Sequence, residues 1–113
     1  MIPSIGRIVH YTLTEYDAQR VLDQRKYHKS IVAELTGRTW PEHVFHGNQP
    51  SRGDVYPMLI TRVWDRVPTE ESCVQGQVFL DGNDTLWVTS VTQKGHTFDP
   101  DMVEGLWFEP PQT

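Results

Sequence analysis

Cysteine is almost absent from this chain: Cys73 stands alone among 113 residues, so no disulfide can close within it. A lone thiol with no helper residues reads as a small packing residue in a reducing compartment, not as a nucleophile. No apolar run approaches the length of a membrane span. Positive charge is also scarce. Lys and Arg number 10 against 15 Asp and Glu, a net charge of −5. A surface for duplex nucleic acid needs clustered positive charge, so no such partner is expected. The opening Met1-Ile2-Pro3-Ser4 has neither the basic start nor the apolar stretch of a secretory leader, which favours the cytoplasm. Missing too are a nucleophile elbow, a phosphate-cradling glycine loop, a Cys-x-x-Cys pair and kinase signatures. No repeat or low-complexity segment is visible. What remains is one domain, residues 1–113, large enough for one hydrophobic core. No catalytic residue, metal or cofactor is expected of it.

The local pattern alternates clearly. Ile5 to Leu13 is rich in β-branched and aromatic residues and reads as a strand, with Gly6 as a candidate bulge. Ile5 and Val9 fall on one face and Ile8 on the other. Thr14 and Asp17 form a capping box in which Asp replaces the usual Glu. From Thr14 to Thr36 there is neither Gly nor Pro, and Ala18, Val21, Leu22, Ile31, Val32 and Leu35 recur at helical spacing. Gly37 is placed to stop the helix, which spans about six turns. Val21, Ile31 and Leu35 are expected to be protected, and the polar centre exposed. Arg38 to Asp54 has loop chemistry, and Trp40, His43, Phe45 and His46 lie within it.

The second half reads as β. Val55–Val63 is a strand whose Pro57 favours an edge. Val74–Leu80 and Thr85–Thr92 form a hairpin around Asp81-Gly82-Asn83-Asp84, where positive-φ positions are expected. Leu86, Val88 and Ser90 share one face of the return strand, which turns Trp87 outward. Leu106–Glu109 supplies a short last strand. The fold expected is α+β: a small, SH3-like, strongly curved antiparallel sheet or partly open barrel of about five strands, with one long helix after the first strand.

The stretch from Ile2 through Ile5-Gly6-Arg7-Ile8-Val9-His10-Tyr11 resembles the opening of small proteins encoded by tailed phages, many of them phages of actinobacteria. Gly47-Asn48, Gly53-Asp54-Val55-Tyr56-Pro57 and Leu80-Asp81-Gly82-Asn83-Asp84-Thr85-Leu86-Trp87-Val88-Thr89-Ser90 are similar to their internal motifs. The tail Leu106-Trp107-Phe108-Glu109-Pro110 departs from their Trp-x-Trp-Pro ending at Phe108. The resemblance implies phage origin, a single compact domain and action in the host cell cytoplasm. It transfers no catalytic residue.

Individual residues offer several sites. His43 and His46 lie three apart beside Glu42, but the order differs from that of zinc hydrolases and no third ligand follows, so no metal is assigned. Arg52-Gly53-Asp54 reads as a turn, and Asp81 and Asp84 as turn carboxylates. Among Trp40, Trp64, Trp87 and Trp107, two or three are needed to fill a thin core. An outward Trp87 beside Asn83, with Arg62 and Trp64 on a neighbouring strand, makes a stacking platform. Arg20, Arg25 and Lys26 on the helix are a positive cluster suited to an anion. With Tyr11, these are the expected ligand-binding residues.

The expected function is therefore a non-enzymatic phage protein that counters the host by sequestering a small anionic, nucleotide-like immune signal. The alternatives are an interaction module that blocks a host or virion protein, and a small hydrolase using His43 and His46. Open sheet edges and the apolar helix patches predict a homodimer or higher even oligomer.

Overall fold

In a computed structural model, which describes residues 1–38 and 47–111, the elements run β1 (Ile8–Thr12), α1 (Glu15–Thr36), β2 (Val55–Val63), β3 (Val74–Phe79), β4 (Thr85–Gln93) and β5 (Leu106–Phe108). Trp40, His43, Phe45 and His46 lie outside the described residues. The strands close into a barrel in the order β1-β2-β3-β4-β5. This corrects the partly open sheet. Closure is mixed, because β5 runs antiparallel to β1 but parallel to β4. The core fills the barrel with Val9, Met58, Ile60, Val74, Val78, Leu86, Val88, Val91 and Trp107. Gly76 is required there: a Cβ would stand 2.7 Å from the Leu59 carbonyl oxygen and 2.6 Å from the Met58 side chain.

Several local expectations need correction. The first strand begins at Ile8, because Gly6, at φ +88°, turns the chain and donates to the Ile60 carbonyl at 2.8 Å. Ile5 and Ile8 are both exposed, while Val9 faces the core. Ser90 does not join Leu86 and Val88 inside. A register shift on β4 leaves it exposed at φ +53° and brings Val91 inward instead. Pro57 does not mark an edge strand, since β2 lies between β1 and β3. The pairing with β3 starts only at Met58, so the missing proline N–H leaves no gap there. Gly82 is not among the positive-φ glycines, so the β3–β4 turn reverses without the expected conformation.

Helix α1 starts and stops as its sequence dictates. Thr14 Oγ1 accepts from the Asp17 N–H at 3.0 Å, and the Asp17 carboxylate accepts from the Thr14 N–H at 3.1 Å. Gly37 ends the helix in the left-handed region. The buried helix residues are Asp17, Ala18, Val21 and Arg25, all in the first half. Leu35 is 80% exposed, so the distal end is not docked in the core as expected. Arg25, expected on a solvated or ligand-facing surface, is only 1% exposed.

The first half of the helix has a specific task. β5 is short and meets β4 only at Thr92 and Gln93. Earlier in β4, helix side chains take the place of a strand: Arg20 Nη2 donates to the Trp87 carbonyl at 3.1 Å, and Gln24 Nε2 to the Thr85 carbonyl at 3.0 Å. Arg25 then grips Asp84 with two bonds, Nε to Oδ2 at 2.9 Å and Nη2 to Oδ1 at 3.0 Å. The free edge invoked for self-association is thus occupied by the chain's own helix.

Two stability measurements follow. Arg25→Met leaves the half-buried Asp84 carboxylate without its bidentate partner and should cost about 3 kcal/mol in denaturant unfolding. Leu35→Asp should change stability by less than about 0.5 kcal/mol, the range of ordinary surface substitutions.

Candidate functional site

The expected site residues separate into an interior set and a surface set. Tyr11 points inward, and its hydroxyl donates a buried hydrogen bond to Asp17 Oδ2. Burial first, then this bond and the Asp17 charge, push the Tyr11 phenol far above its ordinary range. It is a support for the helix cap, not a ligand contact. Arg25 is likewise consumed. Besides Asp84 it donates from Nη1 to the Asn48 carbonyl at 2.9 Å. Asn48 in turn binds the turn below it, its N–H to the Asp81 carbonyl at 2.9 Å and its Nδ2 to Asp81 Oδ2 at 2.7 Å. Gly47 allows this approach, because a Cβ there would stand 2.1 Å from the Asp81 carbonyl oxygen. The basic helix cluster is thereby reduced to Arg20, half-buried and bonded to β4, and Lys26, which is exposed.

The Gly47-Asn48 and Asp81–Asp84 segments, distant in sequence, are therefore two walls of one buried polar junction closed by Arg25. The signal was present. Arg25 follows Ala18 and Val21 on the stripe that faces the barrel, and a charge on such a stripe calls for a buried partner.

Arg52 reaches Glu104 from the turn at Gly53, Nε lying 2.9 and 2.7 Å from the two carboxylate oxygens. This contact holds the Glu104 carboxyl below, and the Arg52 guanidinium above, their ordinary values. The Arg-Gly-Asp tripeptide is thus a turn tied into the fold. A surface hollow of about 510 Å³ is lined by Ile2, Pro68, Thr69, Glu70, Glu71 and His96. Glu70 there already faces the N-terminal ammonium at 3.4 Å and His96 Nε2 at 3.5 Å. None of the expected site residues lines it. Among the described residues, no group of three His, Cys, Asp or Glu side chains comes together to hold a metal.

The surface set lies on the outside of the barrel. Trp64 is 48% exposed and Trp87 47%, whereas Trp107 fills the core. Arg62 stacks over Trp64, its guanidinium carbon 4.1 Å from the ring centroid. Trp87 is not beside this pair. It is level with Gln77 on β3, and Gln77 with Leu59 on β2, whereas Arg62 is level with Gln75. One strand therefore separates Trp87 from Arg62. Asn83 is exposed in the turn after β3.

The register shows a feature that the sequence pattern did not single out. Leu59, Gln77 and Trp87 form one outward row across β2, β3 and β4. Phe79 and Thr85 form the next, with Phe79 41% exposed; Pro57 on β2 is exposed as well but lies outside the β2–β3 pairing. Neither row carries a charged residue, in a chain that is 22% charged. Comparison with protein families, curated proteins and solved structures returned no match.

The buried phenol makes alkaline stability a readout of the interior set. Above about pH 10 the unfolded chain releases the Tyr11 proton while the folded chain keeps it. Unfolding free energy should be flat in this respect below pH 10 and then fall, by up to about 1.4 kcal/mol per pH unit for one proton. Denaturant melts between pH 9 and 11 should show a shallower fall for Tyr11→Phe.

Proposed function

We propose that this protein is a non-enzymatic binding module of phage origin, on a barrel of the SH3-like kind, that counters its host by occupying a host or virion protein in the host cytoplasm. The observation that carries this reading is the charge-free outer face formed by Pro57, Leu59, Gln77, Phe79, Thr85 and Trp87. Interface centres are depleted of charge and enriched in aromatic residues, and their Trp side chains dominate binding energies. The outside of a barrel is convex. It suits contact with a protein surface better than capture of a small molecule, which requires enclosure of most of the ligand.

A second reading keeps one specific support. Arg62 has no hydrogen-bond or ion-pair partner among the described residues and is held flat by Trp64. That arrangement suits a small anionic, nucleotide-like immune signal, with Trp64 as its stacking surface and Arg62 as its counter-charge. The exposed Tyr27 and Leu35 on the distal half of α1 leave room for a homodimer as well.

Tagged wild type and Trp87→Glu, expressed at equal levels in infected host cells, separate the readings. Trp87 is an exposed side chain, so the variant should fold normally. A defined host or virion protein should co-purify with wild type and be lost from Trp87→Glu. Intact nucleotide released on heating, and lost in Arg62→Glu, would favour the second reading instead. Recovery of neither would overturn both.

A further inference from the structure

The charge-free face has a size and a polarity, and together they describe what it accepts. The exposed Ile8 of β1 is level with Leu59. With it, the rows are separated by two residues, about 7 Å along the strands, and cross three strand spacings, about 14 Å. Even with side chains this is far below the roughly 800 Å² per partner of a stable protein–protein interface. The dimensions fit a short segment of a partner and not a broad docked domain.

The ends of the face differ in charge. Where β2 ends and β3 begins, Arg62 lies level with Gln75, one step beyond the Leu59–Gln77–Trp87 row. It has no carboxylate partner among the described residues. At the opposite end stand Asp81 and Asp84 in the β3–β4 turn, with Asp54 just before β2. All three carboxylates are engaged: Asp81 by Asn48, Asp84 by Arg25, and Asp54 by the Ser51 N–H and the Tyr56 hydroxyl. Asp65, just beyond β2 at the Arg62 end, is likewise engaged, accepting from the Ser72 hydroxyl at 2.6 Å. The open charge beside the row at that end is therefore Arg62, while an acidic group at the other end meets like charge.

Resting on the interaction-module reading above, we propose that this face receives a short apolar segment of a partner protein carrying a carboxylate at the end that lies over Arg62. Phe79 and Trp87 would contact its apolar side chains, and the guanidinium, presented on Trp64, would take the carboxylate. Stacking fixes the Arg62 plane before binding, so less side-chain freedom is lost when the acid arrives.

The probe is a random 12-residue peptide library displayed on a carrier and selected against the full-length protein, against Trp87→Glu and against Arg62→Glu. Circular dichroism first establishes that each variant is folded. Wild type should enrich peptides that pair aromatic or aliphatic residues with Asp or Glu on one side. Synthetic versions should bind Trp87→Glu at least about tenfold more weakly. Arg62→Glu should still select apolar peptides, but with Lys or Arg in place of the acid. If wild type enriches nothing, or binding ignores Trp87→Glu, both this assignment and the interaction-module reading fall. If enrichment depends on Trp87 but shows no acidic preference, or if Arg62→Glu leaves the selected charge unchanged, only the acidic-segment assignment falls.

Discussion

Arg25 is the residue on which the assembly of this domain turns. Its guanidinium is removed from water yet fully charged, a state tolerable only when its donors meet acceptors in the right plane. Asp84 supplies two of them and the Asn48 carbonyl a third. Three segments from different parts of the chain must therefore arrive together: the helix, the β3–β4 turn and the strip at Gly47 and Asn48. Apolar packing alone would allow the helix to slide along the barrel, since Ala18 and Val21 are small and featureless. The bidentate ion pair admits a single position, and with it the placement of Arg20 and Gln24 along β4.

Much of the architecture was legible because local chemistry and global fold agree. The Thr14–Asp17 box, the Gly37 stop and the outward Trp87 all follow from short-range rules, and so does the place of the hairpin, though not the conformation of its turn. The failures lie where a long-range contact overrides a local pattern. Leu35 has the spacing of a core residue, but the barrel ends before the helix does. Ser90 has the alternation of an inward residue, but a bulge shifts the register by one. Tyr11 and Arg25 have the chemistry of ligand contacts, yet both are spent inside on carboxylates far along the chain or across the cap. Closure of the barrel was hidden for a related reason. A parallel three-residue β5 gives almost no periodicity to read.

The candidate site was legible in part. Trp87 is on the surface as its alternation implies. Arg62 and Trp64, however, share the parity of the buried Met58 and Ile60 and reach the surface only through the register shift between Ile60 and Arg62. Register, which no single strand reveals, also places β3 between Trp87 and Arg62. The same register aligns Leu59 with Gln77 and Phe79 with Thr85. The absence of charge on that face becomes visible only when strands distant in sequence are laid side by side. A working surface of this kind is a property of pairing, not of any motif.

The helix that stands in for a missing strand also orders events during biosynthesis. Arg20 and Trp87 are 67 residues apart. The helix leaves the ribosome long before the carbonyls it must cap have been made. Until β4 is complete, α1 lacks the partners of Arg20, Gln24 and Arg25, and once β4 forms, its edge is open until α1 docks. A nascent chain thus passes through a stage with an unpaired strand available to neighbours. Docking of Arg25 ends that stage, so its rate, and not the final stability alone, governs how much of the protein escapes aggregation at high expression.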